Sequence, residues 1–552
     1  MHETLGRAAV LVMKFYESLA RGLVDHNVDT IFGLLADPTM LFARSFVEDF
    51  GGNFVSAAHE AGAAHMAYGY GAVSGRVGVV SVDHGPGLTN SLTALIDAVK
   101  ARAPMLFLYP DTVVADKNYR QNILQREIIL ASGAGLEQVR SPQTLHIDLA
   151  VALRRAVAEC RPIALHIPRE FINLEIEYQH LNLARTPSLA ASFDDAQLDR
   201  AVGLIASARR PVVLAGRGAI AARTELIALA NRLGAPLATS LGAKDLFRGE
   251  PFDIGIMGTL SSGPAIEVLA AADCIVAFGA GLNDDTTARG GLLAGKRVVQ
   301  CDVDPARLDN YASVDSTVLG DAALVAATMV DWIEAAELSP TEFSTPELAE
   351  RIAAHWAAPP PPVDGPIPET VDVRGALAQL DAAVPSNRIY VNDPGRHSVV
   401  SWPSVRVQSP RDFVLTAHFG AIGTGLPVAI GAGIADRTRP VFMVGGDAAF
   451  MLGGLNEFNT AVRQGVDLIA VICNDGAYGP EHQMLVQWGY SPAIVEFDWP
   501  DLGPVATALG GSGITVRNEA DVARACEMIR TRTTPVLVDL KLDAYHMPSL
   551  DH

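Results

Sequence analysis

At 552 residues, 49% hydrophobic and 19% charged, the chain is long and apolar enough for three or four domain-sized globular units. Its formal net charge of −20 argues against nucleic acid or an anionic membrane as the main partner. The five cysteines are odd in number, scattered and mostly in apolar runs, so they read as buried thiols of a cytoplasmic protein. The opening stretch MHETLGRAAVLVMKFYESLA lacks a basic leader and a small-residue cleavage site, and reads as a first amphipathic helix.

The first third alternates short apolar strands with helices. Residues 29–33 and 53–56 read as strands, and 59–74 as an alanine- and glycine-rich helix. The run 77–82 reads as a buried strand that breaks at the turn Asp83-His84-Gly85-Pro86-Gly87. A helix over 89–99 follows, then strands at 105–109 and 163–167. Such alternation predicts a mostly parallel, doubly wound α/β sheet. A polar, irregular passage at 174–193 sets off a middle unit with strands at 211–216, 274–279 and 298–302. There, Gly216-Arg217-Gly218-Ala219-Ile220-Ala221 matches the loose form of a dinucleotide turn, but with no ribose-binding acid in context. A tight strand-to-helix turn is the better reading. Four successive prolines at 359–362 mark an extended spacer. The segment 414–435 carries no formal charge apart from protonation of His418. Its proline and glycines make it a glycine-rich turn and core helix instead of a membrane span.

The most informative stretch is 441–479. It reads as a strand ending in Gly445-Gly446-Asp447, a helix with Leu455, Phe458 and Val462 on one face, and a second strand closed by Asn474-Asp475-Gly476. In a parallel sheet both strands end on one edge, where open α/β sheets bind ligands. A carboxylate, an amide oxygen and nearby carbonyls are hard ligands that suit Mg²⁺ shared with phosphates. A plain βαβ unit whose aspartate caps its helix is an equally good reading of the spacing alone. The layout of 77–111 repeats that of 441–475, so two related α/β units stand near the two ends of the chain.

Upstream, His59-Glu60 with His65 is no zinc motif, since the second histidine falls at i+6 where a shared helical face needs i+4. Neither a zinc-spaced Cys/His cluster, a phosphate-binding P-loop nor a nucleophile elbow occurs in the sequence. Glu60 remains as an acid at the start of a small-residue helix, where dipole compensation alone would also place it.

Taken together, Glu60 in HEAGAAHMAYGYG, the turn HGPGLTN at 84–90, and GDA with ND at 446–448 and 474–475 resemble the thiamine-diphosphate-dependent enzymes. The types most similar are acetolactate synthase, benzaldehyde lyase and pyruvate decarboxylase. The resemblance covers nearly the whole chain. It implies three doubly wound parallel-sheet domains: pyrimidine-binding over 1–185, central and Rossmann-like over 190–340, a proline-rich linker over 341–368, and diphosphate-binding over 369–552. Two positions depart from the family signature, Ala448 for a third glycine and Asp475 for a second asparagine.

The resemblance also implies roles. Asp447, Asn474 and the carbonyl of Gly476 would hold Mg²⁺ on thiamine diphosphate, helped by Gly446, Ala448, Ala449 and Tyr478. Ile422, in Gly420-Ala421-Ile422-Gly423, would be the apolar wedge that keeps the cofactor bent. Glu60 would hydrogen-bond its pyrimidine ring and favour the imino tautomer that deprotonates the reacting carbon. Gln125 and His84 would lie near that carbon, while His397, His418, His482, Met484 and Trp488 are candidates to touch substrate. The implied reaction is C–C cleavage and formation on 2-oxo acids or related carbonyl compounds, of the acetolactate synthase kind. Simple decarboxylation, cleavage of acyloins or 1,2-diketones, and a non-catalytic fold relative are the alternatives. The family further implies a self-associated dimer or tetramer with Glu60 and Asp447 of one site on different chains. FAD or ADP in the central domain is an option that the residues do not favour.

Overall fold

The computed structural model describes residues 11–116, 118–181, 194–358, 367–416 and 418–548. Among them, three six-stranded sheets carry the fold. β1 (Val12–Lys14) precedes a sheet of β2 (Thr30–Gly33), β3 (Asn53–Ser56), β4 (Gly78–Ser81), β5 (Met105–Pro110), β6 (Gly135–Gln138) and β7 (Pro162–Ile167); β8 (Glu175–Glu177) returns to pair antiparallel with β1. The central sheet holds β9 (Pro211–Ala215), β10 (Leu237–Thr239), β11 (Asp253–Ile256), β12 (Cys274–Phe278), β13 (Arg297–Asp302) and β14 (Ser316–Leu319). The last holds β15 (Ile389–Asn392), β16 (Phe413–Leu415), β17 (Val441–Gly446), β18 (Leu468–Asn474), β19 (Ser512–Val516) and β20 (Val536–Lys541). The strands of each sheet run parallel, and β4, β5, β7, β17 and β18 lie in near-continuous buried runs, as strands covered on both faces must.

The strand orders are β3-β2-β4-β5-β7-β6 and β16-β15-β17-β18-β20-β19 in the outer sheets. Counted within each sheet, both read second, first, third, fourth, sixth, fifth. The repeat expected from the sequence is therefore a repeat of topology. The central sheet, β11-β10-β9-β12-β13-β14, has the Rossmann order. The first and third sheets belong to one compact unit; the central sheet forms the other, together with residues 399–413.

Within the first unit, the helices Glu60–Ser74 and Gly425–Ala435 pack backbone against backbone in one shared core. A Cβ on Gly69 would stand 2.1 Å from the carbonyl of Val428, and one on Gly431 1.9 Å from that of Met66. Only glycine allows this approach. It accounts for the uncharged, glycine-rich run at 414–435 as a core helix, and no described helix is long and apolar enough to cross a membrane.

Two expectations change. Val12–Lys14 is a strand, and the first described helix starts at Phe15, because β1 is fixed by pairing with residues far along the chain. Residues 341–368 are not all spacer: a helix spans Pro346–Ala357 and buries Leu348 and Ile352 in the core of the central unit. The proline run at 359–362 lies outside the described residues. The turn at 216–221 is the start of a 3₁₀ helix packed on its neighbour, with Gly218 N–H donating to Gly279 O at 3.1 Å. A Cβ on Gly216 would lie 2.2 Å from that same carbonyl, so only glycine allows the two turns to approach this closely.

Candidate cofactor site

β17 and β18 end side by side, Gly446 opposite Cys473, and this puts Asp447 and Asn474 on one edge. Asp447 opens a helical run that passes through a π turn at Phe450–Gly454 before continuing as Leu455–Arg463. Its carboxyl is buried beside the Ala448 N–H and the Trp499 indole, and Oδ2 makes no hydrogen bond of good geometry. Burial, then the neighbouring charge of Asp475, raises Asp447 above the usual carboxylate range, and burial raises Asp475 as well. The Asn474 amide is oriented by its donation to Asp539 Oδ1 at 2.8 Å, which commits the nitrogen and leaves the oxygen as the acceptor. The Gly476 carbonyl, at φ +64°, accepts from Phe497 N–H and so spends one of its two lone pairs on the protein.

The turn bearing Ile422 seats on the π turn. Gly420 and Gly423 have φ near +80°, and a Cβ on Gly423 would stand 3.0 Å from Gly453 N. Buried carboxylates hold both flanks: Asp97 accepts from Phe419 N–H at 2.7 Å and Asp393 from Gly425 N–H at 2.8 Å. Ile422 itself is half-buried.

The corresponding edge of the first sheet is filled by the protein's own groups. Gln125 accepts from Gly85 N–H through Oε1, and its Nε2 donates to Pro110 O and Asp111 Oδ1. Asp111 pairs with His166 Nε2 at 2.8 Å, which holds its carboxyl below the usual range. His84 is buried, with Nε2 3.1 Å from Gln121 Oε1 and its ring beside Tyr119. At this edge Asp111 is satisfied by the protein's own groups, whereas Asp447 at the end of β17 keeps Oδ2 without a hydrogen bond.

Glu60 begins its helix behind His59, whose Nδ1 caps Ala61 N–H. Its Oε2 accepts from Asn90 Nδ2 at 3.1 Å. Glu457, on the helix Leu455–Arg463, accepts from Ala58 and His59 N–H groups at 3.0–3.1 Å and from Thr460, and so anchors the approach to Glu60. Glu457 is fully buried, and a Cβ on Gly62 would lie 2.1 Å from its Oε1.

The other candidates scatter. His397 bonds Asp393 O and lies against Gly446 at the end of β17; burial pushes it down to about 4. His418 is held by Tyr68 OH and Leu415 O. His482, buried, bonds Glu496 and stacks edge-on against Tyr545. Met484, Trp488 and Tyr478 are exposed, Tyr478 against the Phe497 ring. Beside them Arg396 donates to Ala544 O and Met547 O at 2.6 and 2.8 Å, with Gly479 closing on its stem.

A divalent cation fits this edge. The donors are a bare buried carboxylate oxygen, a fixed amide oxygen and a carbonyl with a lone pair to give, all hard ligands. Among the described residues no group of three His, Cys, Asp or Glu is placed to hold a metal ion by itself. The sequence reading missed Asp97, Asp393, Glu457 and Asp539. Asp97 and Asp539 were signalled only as charges interrupting apolar runs, and Asp393 and Glu457 had no such signal.

Three family models match the chain: thiamine pyrophosphate enzyme, N-terminal TPP binding domain, over 13–132; the central domain, over 198–329; and the C-terminal TPP binding domain, over 393–540. A sulfoacetaldehyde acetyltransferase of Castellaniella defragrans is 30% identical, over 92% of this chain and 89% of its own. A protein described as a probable 2-ketoarginine decarboxylase of Pseudomonas aeruginosa is 27% identical, over 90% and 88%. An acetolactate synthase large subunit of Corynebacterium glutamicum is 25% identical, over 95% and 86%.

Proposed function

We propose a function from the premise that this chain belongs to the thiamine pyrophosphate enzymes: it cleaves the C–C bond beside the carbonyl of a 2-oxo acid and joins the retained fragment to an acceptor carbonyl, as acetolactate synthase does. The observation that carries this reading is the bare Oδ2 of buried Asp447 beside an Asn474 amide whose nitrogen is already committed. Asp447, Asn474 and the Gly476 carbonyl hold Mg²⁺ on the diphosphate. Gly446, Ala448 and Ala449 supply backbone, and His397 and Tyr478 flank it. Ile422 props the cofactor from its glycine turn. Bound there, thiamine diphosphate supplies a nucleophilic carbon and an electron sink. Glu60, oriented by Asn90, hydrogen-bonds the pyrimidine and exchanges a proton with it. His84 offers an imidazole for proton transfer, and Gln125 fixes the turn that carries it. His418, His482, Met484 and Trp488 face the carbonyl substrate, and two copies of the chain complete each site. Plain 2-oxo acid decarboxylation is the second reading, favoured by the decarboxylase among the relatives.

The test is a full-length Glu60→Gln variant, with thiamine diphosphate, Mg²⁺ and a panel of 2-oxo acids that starts with pyruvate. Carbon dioxide release and new C–C products are followed together. Turnover should fall by about 10²-fold or more, while cofactor affinity, read by tryptophan quenching, stays near that of the unaltered protein. Full turnover in this variant would sink the reading. Carbon dioxide without a coupled product would select the second.

A further inference from the structure

Asp539 interrupts the apolar strand β20, yet it is fully buried. A buried carboxylate costs several kcal/mol unless donors compensate it, and four groups from separate elements do so. Asn474 Nδ2 donates to Oδ1 at 2.8 Å. Leu502 N–H and Thr515 Oγ1 donate to Oδ2 at 2.9 and 3.1 Å, and Lys541 Nζ lies 3.3 Å from Oδ2. We infer that Asp539 is a positioning residue for the metal face of the site, one that pins the Asn474 amide so that its oxygen is presented to the cation. This inference rests on Asn474 being a metal ligand.

The asymmetry of the cluster makes the role specific. A carboxylate accepts on both oxygens, so it serves Asn474 on one side and three donors on the other. An asparagine at 539 has a single oxygen. Three donors would draw that oxygen to the Leu502 side and turn its NH₂ toward Asn474. The Asn474 amide must then rotate to answer with its own oxygen, and it presents NH₂, a donor, where a cation needs an acceptor. A group behind a ligand commonly governs affinity by 10- to 100-fold.

The experiment titrates full-length protein, with saturating thiamine diphosphate, with Mn²⁺ in place of Mg²⁺ and reads free Mn²⁺ by electron paramagnetic resonance. Asp539→Asn should weaken Mn²⁺ about 10- to 100-fold. Thr515→Val, which removes a different partner of the same carboxylate, should stay within about twofold of the unaltered protein. If Asp539→Asn does not fold, Asp539→Glu displaces the carboxylate by one methylene and should show the same loss. Unchanged affinity in the folded variant, or an equal loss in Thr515→Val, overturns the inference. Asn474→Ala separates the two levels: if it too binds Mn²⁺ like the unaltered protein, the ligand assignment itself is wrong.

Discussion

Burial keeps His65 uncharged in the middle of the Glu60 helix, where its imidazole is pushed down to about 4. A group depressed in the folded state contributes stability that is whole above its unfolded value near 6.5 and is lost as pH falls through the folded one. Between pH 7 and pH 5 the loss for this residue is about 2 kcal/mol. Urea midpoints at the two pH values should show it, and His65→Leu should flatten that part of the profile; an undiminished slope would rule His65 out as its source. Single residues were legible in the sequence where chemistry is local. Asp447 and Asn474 stand at strand ends that the apolar runs already marked. Glu457 was not legible, because the N–H groups it holds lie 398 and 399 positions away, and no local pattern ties a helix-face glutamate to so distant a turn.

At the scale of elements, the crossing of Glu60–Ser74 over Gly425–Ala435 is the tightest joint in the first unit. Gly69→Ala forces a methyl to within 2.1 Å of a carbonyl and should cost about 1–3 kcal/mol or more. Gly203→Ala, in the helix Asp195–Ala206 with nothing near its Cβ, should be neutral or stabilising by about 0.5–1 kcal/mol. Chemical denaturation of the pair checks this, and equal effects would refute the steric account. The same elements show how far periodicity carries. The helix from residue 60 and the strand pairs were readable from composition, since small residues and apolar runs announce them. β1 was not: Val12–Lys14 takes strand geometry from β8, and in isolation its apolar residues continue the helical pattern that follows.

For the whole molecule, alternating strands and helices announced the parallel α/β sheets and the family resemblance their division into three domains, whereas the strand order within each sheet was legible in neither. The helix at Pro346–Ala357 was obscured by the prolines after it, which dominate any composition-based reading of a spacer. The division into two units predicts how ligand binding distributes. Glu60 and Asp447 both lie in the unit of the outer sheets. In calorimetry, thiamine diphosphate and Mg²⁺ at about 100 times their dissociation constants should stabilise that unit by about 2.7 kcal/mol. The transition of the central unit should stay in place. Equal shifts of both transitions would instead point to a ligand held by the central unit as well.

Arg396 gives the far end of the chain a practical importance. The carbonyls of Ala544 and Met547 are the acceptors for its guanidinium, a few residues from Asp393 and beside His397. The segment 543–547 is thus a fastener for the Arg396 side chain. Without Ala544 and Met547 the guanidinium of Arg396 would lose both of those acceptors, and a buried cation would be left beside His397.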